Sequence, residues 1–274
     1  MNQPLRLTEG PLAALRARPL SEAVAAGHAR KAGYRSHPID TASPVYGDPM
    51  VAIAGHGIAG QNHYAARLNP PYHAEITGAT TALLLRSSVA DRLARVNARL
   101  APYGLELWVF DAWRPIAVQN HFHDHWMPDY LRRARPGLSA AEIAAEVSNY
   151  WAKGAPGGAI DPASPPPHAT GAAVDLTLRE RATGAQLFMG SIFDDVTGLS
   201  NTDAFEDVAD AMSFSALEAR DNRRLLVWIM AAEGFANNPT EWWHFSWGDQ
   251  MWARLTGAEV ALYGPATMAA HPAA

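Results

Sequence analysis

The chain reads as an α+β fold in which a small antiparallel sheet is packed with helices. Three features of the 274 residues lead there. Helical stripes dominate the first part of the chain and short strands cluster later, without the regular alternation of a parallel α/β sheet. The strand segments at 172–178 and 185–190 are separated only by a turn at Ala182–Gly184. The length, with 48% hydrophobic residues, suffices to bury one large core. The expected division is an N-terminal extension over 1–45 and a single domain over 46–274, with no internal repeats.

Residues 1–45 mix Ala, Arg and Pro without sustained periodicity and read as an extension or lid. Residues 47–79 are rich in Gly, Asn and Pro, and predict loops with short strands. Ser88 then opens a helix, with Asp91 as a capping-box acid and Val89, Leu93, Val96 and Leu100 on one face. Gly104 ends it, and LELWVFD at 105–111 predicts a strand. Pro115 starts a helix to about Arg133. Ser139 and Glu142 form a second capping box, ahead of Ile143, Val147, Tyr150 and Trp151 on one stripe. The Gly- and Pro-rich stretch 154–167 is a loop of a length that is often functional. A helix from about Ser215 to Glu233 stops at Gly234, and the last strand is expected over Trp242–Trp247.

Charge and composition exclude several classes. A net charge of −5 offers no basic footprint for nucleic acid. No run approaches the ~18 apolar residues of a membrane span. The first twenty residues carry Glu9, Arg16 and Arg18 within their most apolar part, so a cytoplasmic protein is the expectation. With no cysteine, a metal would have to be held by His, Asp or Glu.

Two segments concentrate such residues: HATGAAVDLTL at 168–178 and EWWHFSW at 241–247. Asp175 sits among Val174, Leu176 and Leu178, where a carboxylate is costly unless paired or metal-bound. His168 precedes it by seven, an odd offset that places the two on opposite faces of a continuous strand. A bend at Gly171 must therefore bring the imidazole round. Glu241 and His244 are three apart, so Glu241 must lie on the turn after Pro239, or at a bulge, to reach the same site. Two His and one Asp leave a zinc ion one open position for water, as in catalytic sites. A zinc-bound water ionises near pH ~7, and a neighbouring glutamate can take its proton. Taken singly, each residue has a plainer role: His168 as a loop histidine, Asp175 as a partner for arginine, His244 as a core histidine and Glu241 as a turn residue.

The pattern HxxGxAxD at 168–175 with EWWHF at 241–245 resembles the D-alanyl-D-alanine dipeptidases, zinc D,D-peptidases related to D,D-carboxypeptidases and the hedgehog signalling domain. VFDAWRP at 109–115, FMGSIFD at 188–194 and NRRLLVWIMAAEGF at 222–235 match in the same order, so the resemblance spans about residues 80–250. It implies one Zn2+ held by His168, Asp175 and His244, with Glu241 as general base. It further implies that Arg114 stabilises the oxyanion and that Asp194 binds the free amino group of a small dipeptide. From the residues themselves, Arg114 reads as a local partner of Asp111 and Asp194 as a turn residue. One departure stands out: Pro166 occupies the position where the family usually has serine, so a hydroxyl contact from there is lost. A D,D-carboxypeptidase acting on muropeptides and a zinc-stabilised binding module without catalysis are the alternatives. HFHDHW at 121–126 is a denser histidine cluster, but His121 and His125 share a helix face with no third ligand nearby. It reads as a solvated surface, and the remaining histidines receive no role.

Overall fold

The computed structural model describes residues 7, 9–155, 157–206 and 213–266. Helices α1 (Gly10–Ala17) and α2 (Ser21–Lys31) are followed by strands β1 (Met50–Ala52) and β2 (Ala59–Gly60). Strand β3 (Leu84–Arg86) pairs antiparallel with β1 and runs directly into α3 (Ser87–Leu100). After β4 (Leu105–Asp111) comes a long helical run of α4 (Ile116–His121), a π-helical segment at Phe122–Trp126 and α5 (Met127–Ala134). Helix α6 (Ala140–Tyr150), strand β5 (Ala173–Glu180), helix α7 (Phe214–Ala231), strands β6 (Ala236–Asn237) and β7 (His244–Ser246) and helix α8 (Gln250–Thr256) complete the chain.

The main sheet has the order β2-β4-β5-β7-β6. It is antiparallel except for the short β2–β4 pair, so the α+β architecture is the one expected. Its core face is written in period two. Leu105, Leu107 and Val109 of β4 and Val174, Leu176 and Leu178 of β5 are all fully buried. The α3 stripe Val89, Leu93, Val96 and Leu100 is equally buried and packs on this sheet. Each such side chain contributes about 1.5–3 kcal/mol by leaving water.

One irregularity turns the sheet into a scaffold. Val109 pairs with Leu176, but Asp111 pairs with Asp175, so two residues of β4 oppose one of β5. Strict alternation would send Asp111 to the core face with Val109. The bulge instead sets it on the opposite face, beside Asp175.

Several expectations are corrected. Residues 185–190 form no strand; Gln186 makes a single bridge to Arg179 before the chain turns away to carry Phe193 and Asp194 inward. The strand expected over Trp242–Trp247 is confined to His244–Ser246, because the Trp242 N–H leaves the sheet to bond the Ser200 carbonyl at 3.0 Å. The capping box at Ser88 does not form. The helix starts one residue earlier, Ser88 donates to Asp48, and Asp91 contacts His56 at 3.1 Å. The Ser139–Glu142 box is present as predicted.

The N-terminal stretch carries two short helices that close on the body of the fold. Arg16 of α1 bonds Glu218 of α7 at 2.9 Å and also donates to Asn222, while Arg30 of α2 bonds the Leu255 carbonyl of α8 at 2.9 Å. Among the described residues no helix is long and apolar enough to cross a membrane.

Candidate active site

The site lies where β4, β5 and β7 end against the loops before them. Three local devices, two turns and one strand pairing, aim its side chains. Pro167–Thr170 forms a 3-10 turn that closes on Gly171 in the left-handed conformation (φ 71°), and this bend carries His168 round to the Asp175 face. Asp175 faces the site from β5, directly opposite His244 of β7. Glu241 sits on the turn before β7, its N–H bonded to the Asn238 carbonyl and its carbonyl accepting from the His244 N–H, each at 3.1 Å.

The three expected ligands converge. His168 Nε2 lies 3.2 Å from His244 Nδ1 and 3.3 Å from an Asp175 oxygen, and His244 Nδ1 lies 3.0 Å from the other Asp175 oxygen. All three residues are at most 5% exposed. The far nitrogens are already committed. His168 Nδ1 meets the Ala112 carbonyl at 2.8 Å, which can only accept, so Nε2 of the neutral ring presents a lone pair. His244 Nε2 meets Ser246 Oγ at 3.4 Å, and that hydroxyl donates to Asp249 at 2.8 Å. Two imidazole lone pairs and a carboxylate aimed at one point repel one another unless a cation lies among them. This donor set fits a divalent metal, and the outer hydrogen bonds are of the kind that orient metal-binding histidines. Were either ring protonated, its charge would outweigh burial and hold the Asp175 carboxyl well below the usual carboxylate range.

Around this cluster stand the other expected residues. Glu241 is 9% exposed, with its carboxylate 3.6 Å from His244 Nδ1. Arg114 engages all three guanidinium nitrogens: Nε to Asp111 at 2.8 Å, Nη1 to Gln119 at 2.9 Å and Nη2 to Asp175 at 3.2 Å. Burial would lower its pKa, but Tyr64, Asp111, Asp175 and Asp194 outweigh that and keep it charged. Asp194 has φ 59° and accepts from Tyr64 and Tyr72 hydroxyls at 2.9 and 2.7 Å on one oxygen. Burial, and next the Asp175 charge, pushes its pKa up to about 8 against the pull of Arg114 and the two tyrosines.

All six expected residues thus border one cavity of about 60 Å³. Sequence reasoning missed several neighbours. Tyr64 and Tyr72 come from the Gly- and Pro-rich stretch, which carries no periodic signal. Asp111, read from the sequence only as a partner of Arg114, reaches the site through the bulge, and Gln119 is a helix residue fixed between Arg114 and the Ala152 carbonyl. Lys31 and Tyr34, from the N-terminal stretch, also line the cavity, as does Trp151, whose buried indole nitrogen has no partner. The His121–His125 pair sits apart, on the helical run after Pro115, with ring centroids 6.3 Å apart.

The family described as D-ala-D-ala dipeptidase matches residues 48–258. A D-alanyl-D-alanine dipeptidase of Synechocystis sp. is 34% identical over 221 residues, covering 76% of this chain and 85% of that protein. The proteins of the same name from Streptomyces coelicolor and Enterococcus faecalis are 46% and 32% identical, covering 56% and 60% of this chain and 68% and 71% of their own lengths. The chain belongs to the D-ala-D-ala dipeptidase family and is a metallopeptidase.

Proposed function

We propose that this protein is a zinc-dependent dipeptidase that hydrolyses D-alanyl-D-alanine or a closely related small dipeptide. The observation that carries the reading is the convergence of His168, Asp175 and His244 beside an unliganded carboxylate, Glu241, in a cavity with a second buried acid, Asp194, at its side. When bound, the zinc ion would supply Lewis acidity and an acidified water. Glu241 takes the proton of the attacking water and returns it to the leaving amine. Arg114, held rigid by Asp111 and Gln119, offers fixed charge where the carbonyl oxygen becomes negative. Asp194 receives the free α-ammonium. An N-acylated or internal peptide would leave that carboxylate buried and unpaired, which favours dipeptides over longer muropeptides.

Alanine release from D-Ala-D-Ala, L-Ala-L-Ala and N-acetyl-D-Ala-D-Ala, with and without a chelator, tests this directly. Chelator-sensitive hydrolysis of the free D,D-dipeptide alone is expected, and activity retained in the metal-free protein would overturn it. Glu241→Gln should lower kcat by about 10²–10⁴ while the metal content stays at the wild-type level. A variant that loses metal and activity together would assign Glu241 a ligand role instead.

A further inference from the structure

The cavity wall has a part that comes from outside the stretch matched by the family. Lys31, the last residue of α2, and Tyr34, in the 3-10 turn that follows, line the same cavity as the His168–Asp175–His244 cluster. Lys31 Nζ donates to Thr240 Oγ1 at 2.8 Å, the residue just before Glu241. That bond uses one of the three donors of an ammonium. Burial lowers the Lys31 pKa and the charge of Glu241 opposes it. The Thr240 bond places Lys31 on the Glu241 side of the cavity.

Asp194 is held by the Tyr64 and Tyr72 hydroxyls, and the Arg114 guanidinium lies over the Tyr64 ring at 4.9 Å, so this acid sits on the Arg114 side. Lys31 and Asp194 thus reach one cavity from separate elements, with His168, Asp175 and His244 in the same lining. Among its lining residues Lys31 is the single ammonium. Arg114, the guanidinium, already shares its charge between Asp111 and Asp175. Pro167, which forms the wall beside His168, has no N–H to give. A free dipeptide is a zwitterion whose charged ends lie about 7 Å apart when extended. Its ammonium and its carboxylate need opposite partners at opposite ends.

We propose that Lys31 receives the α-carboxylate of the substrate, so that Lys31 and Asp194 together measure a peptide two residues long. This rests on the dipeptidase reading above. It makes the N-terminal helix pair a specificity element of the site.

The test compares D-Ala-D-Ala with its C-terminal amide on zinc-loaded wild-type, Lys31→Met and Lys31→Arg proteins. The wild type should prefer the free acid. Lys31→Met should raise KM for the acid by about ten- to a hundredfold, the loss of one charge-assisted hydrogen bond, with little change in kcat and no change for the amide. Lys31→Arg should restore part of the preference. Preference for the acid unchanged in Lys31→Met overturns the proposal. So does an equal fall in kcat on both substrates with a displaced pH profile, which would make Lys31 a positioning residue for Glu241. Thermal unfolding and zinc content of both variants should match the wild type; a Lys31→Met protein that fails to fold is replaced by Lys31→Gln, for which a lost acid preference supports the proposal and an intact one overturns it. Absence of hydrolysis of either substrate by wild-type protein removes the dipeptidase reading, and this proposal with it.

Discussion

Asp194 and Arg114 illustrate how burial sets the chemistry of single residues. The Asp194 carboxyl is pushed up to about 8, chiefly by burial, so the folded protein holds this proton far more tightly than the unfolded chain. A raised folded pKa contributes stability that is full at acid pH and is lost as pH climbs through about 8. Unfolding of the metal-free protein across pH 5–9 should show this decline, and Asp194→Asn should flatten it. Substrate binding runs the other way, since an ammonium needs the carboxylate; KM for the free dipeptide should fall as pH rises towards 8, and the trend should vanish in Asp194→Asn. Arg114 makes a different argument. Its planar fork reaches Asp111, Gln119 and Asp175 at once, which a lysine cannot do. Arg114→Lys should lower kcat by about 10²–10³ and also destabilise the fold, because buried acceptors lose their donors. Kinetics with a parallel denaturant titration separates the two effects.

At the scale of elements, the site depends on places where regular structure is interrupted. The Gly171 bend is one. A Cβ there would lie 2.5 Å from Met50 Sδ and 2.6 Å from Met50 Cε, and φ 71° is disfavoured for other residues. The methionine tip can swing aside, so the backbone conformation sets the cost, about 1–2 kcal/mol. Gly171→Ala should therefore fold with that loss in denaturant titration, and bind metal more weakly as His168 is re-aimed. The bulge that lifts Asp111 to the site face is another such place. Neither interruption is written in local periodicity. The strand Leu105–Asp111, the α3 stripe and the Ser139–Glu142 box were legible, because neighbours in sequence carry those signals. The short β7 was not, because Trp242 bonds Ser200, more than forty residues away in the chain.

For the whole molecule, the metal-fitting cluster joins β5, β7 and the loop before β5, and α1 and α2 close the outside against α7 and α8. A ligand that binds only the folded state stabilises it by mass action, about 2.7 kcal/mol at a hundredfold excess over Kd. Chelation should accordingly lower Tm, and zinc should restore it; Asp175→Ala should show neither response. Arg16 ties the N-terminal helices to α7 through Glu218 and Asn222 from a buried position. Arg16→Ala should cost about 1.5–3 kcal/mol, the range for hydrogen bonds to charged groups, read by denaturant unfolding.

The amino-acid order was enough to define the α+β class, the main helical stripes and the six residues His168, Asp175, His244, Glu241, Arg114 and Asp194 as one candidate constellation. The stripes and the residues His168, Asp175, His244 and Glu241 stand out by type and short spacing, whereas the roles of Arg114 and Asp194 came only with the family resemblance; the two conditions, a bend at Gly171 and a turn at Glu241, follow from strand geometry. The partners that tune them could not be read that way. Gln119, Tyr64, Tyr72 and Lys31 lie on different elements and carry no motif of their own. Whether a tyrosine hydroxyl or an ammonium ends beside a carboxylate is set by a bulge, by helix docking and by the packing of distant loops, and it is burial among those contacts that gives each group its charge and its role.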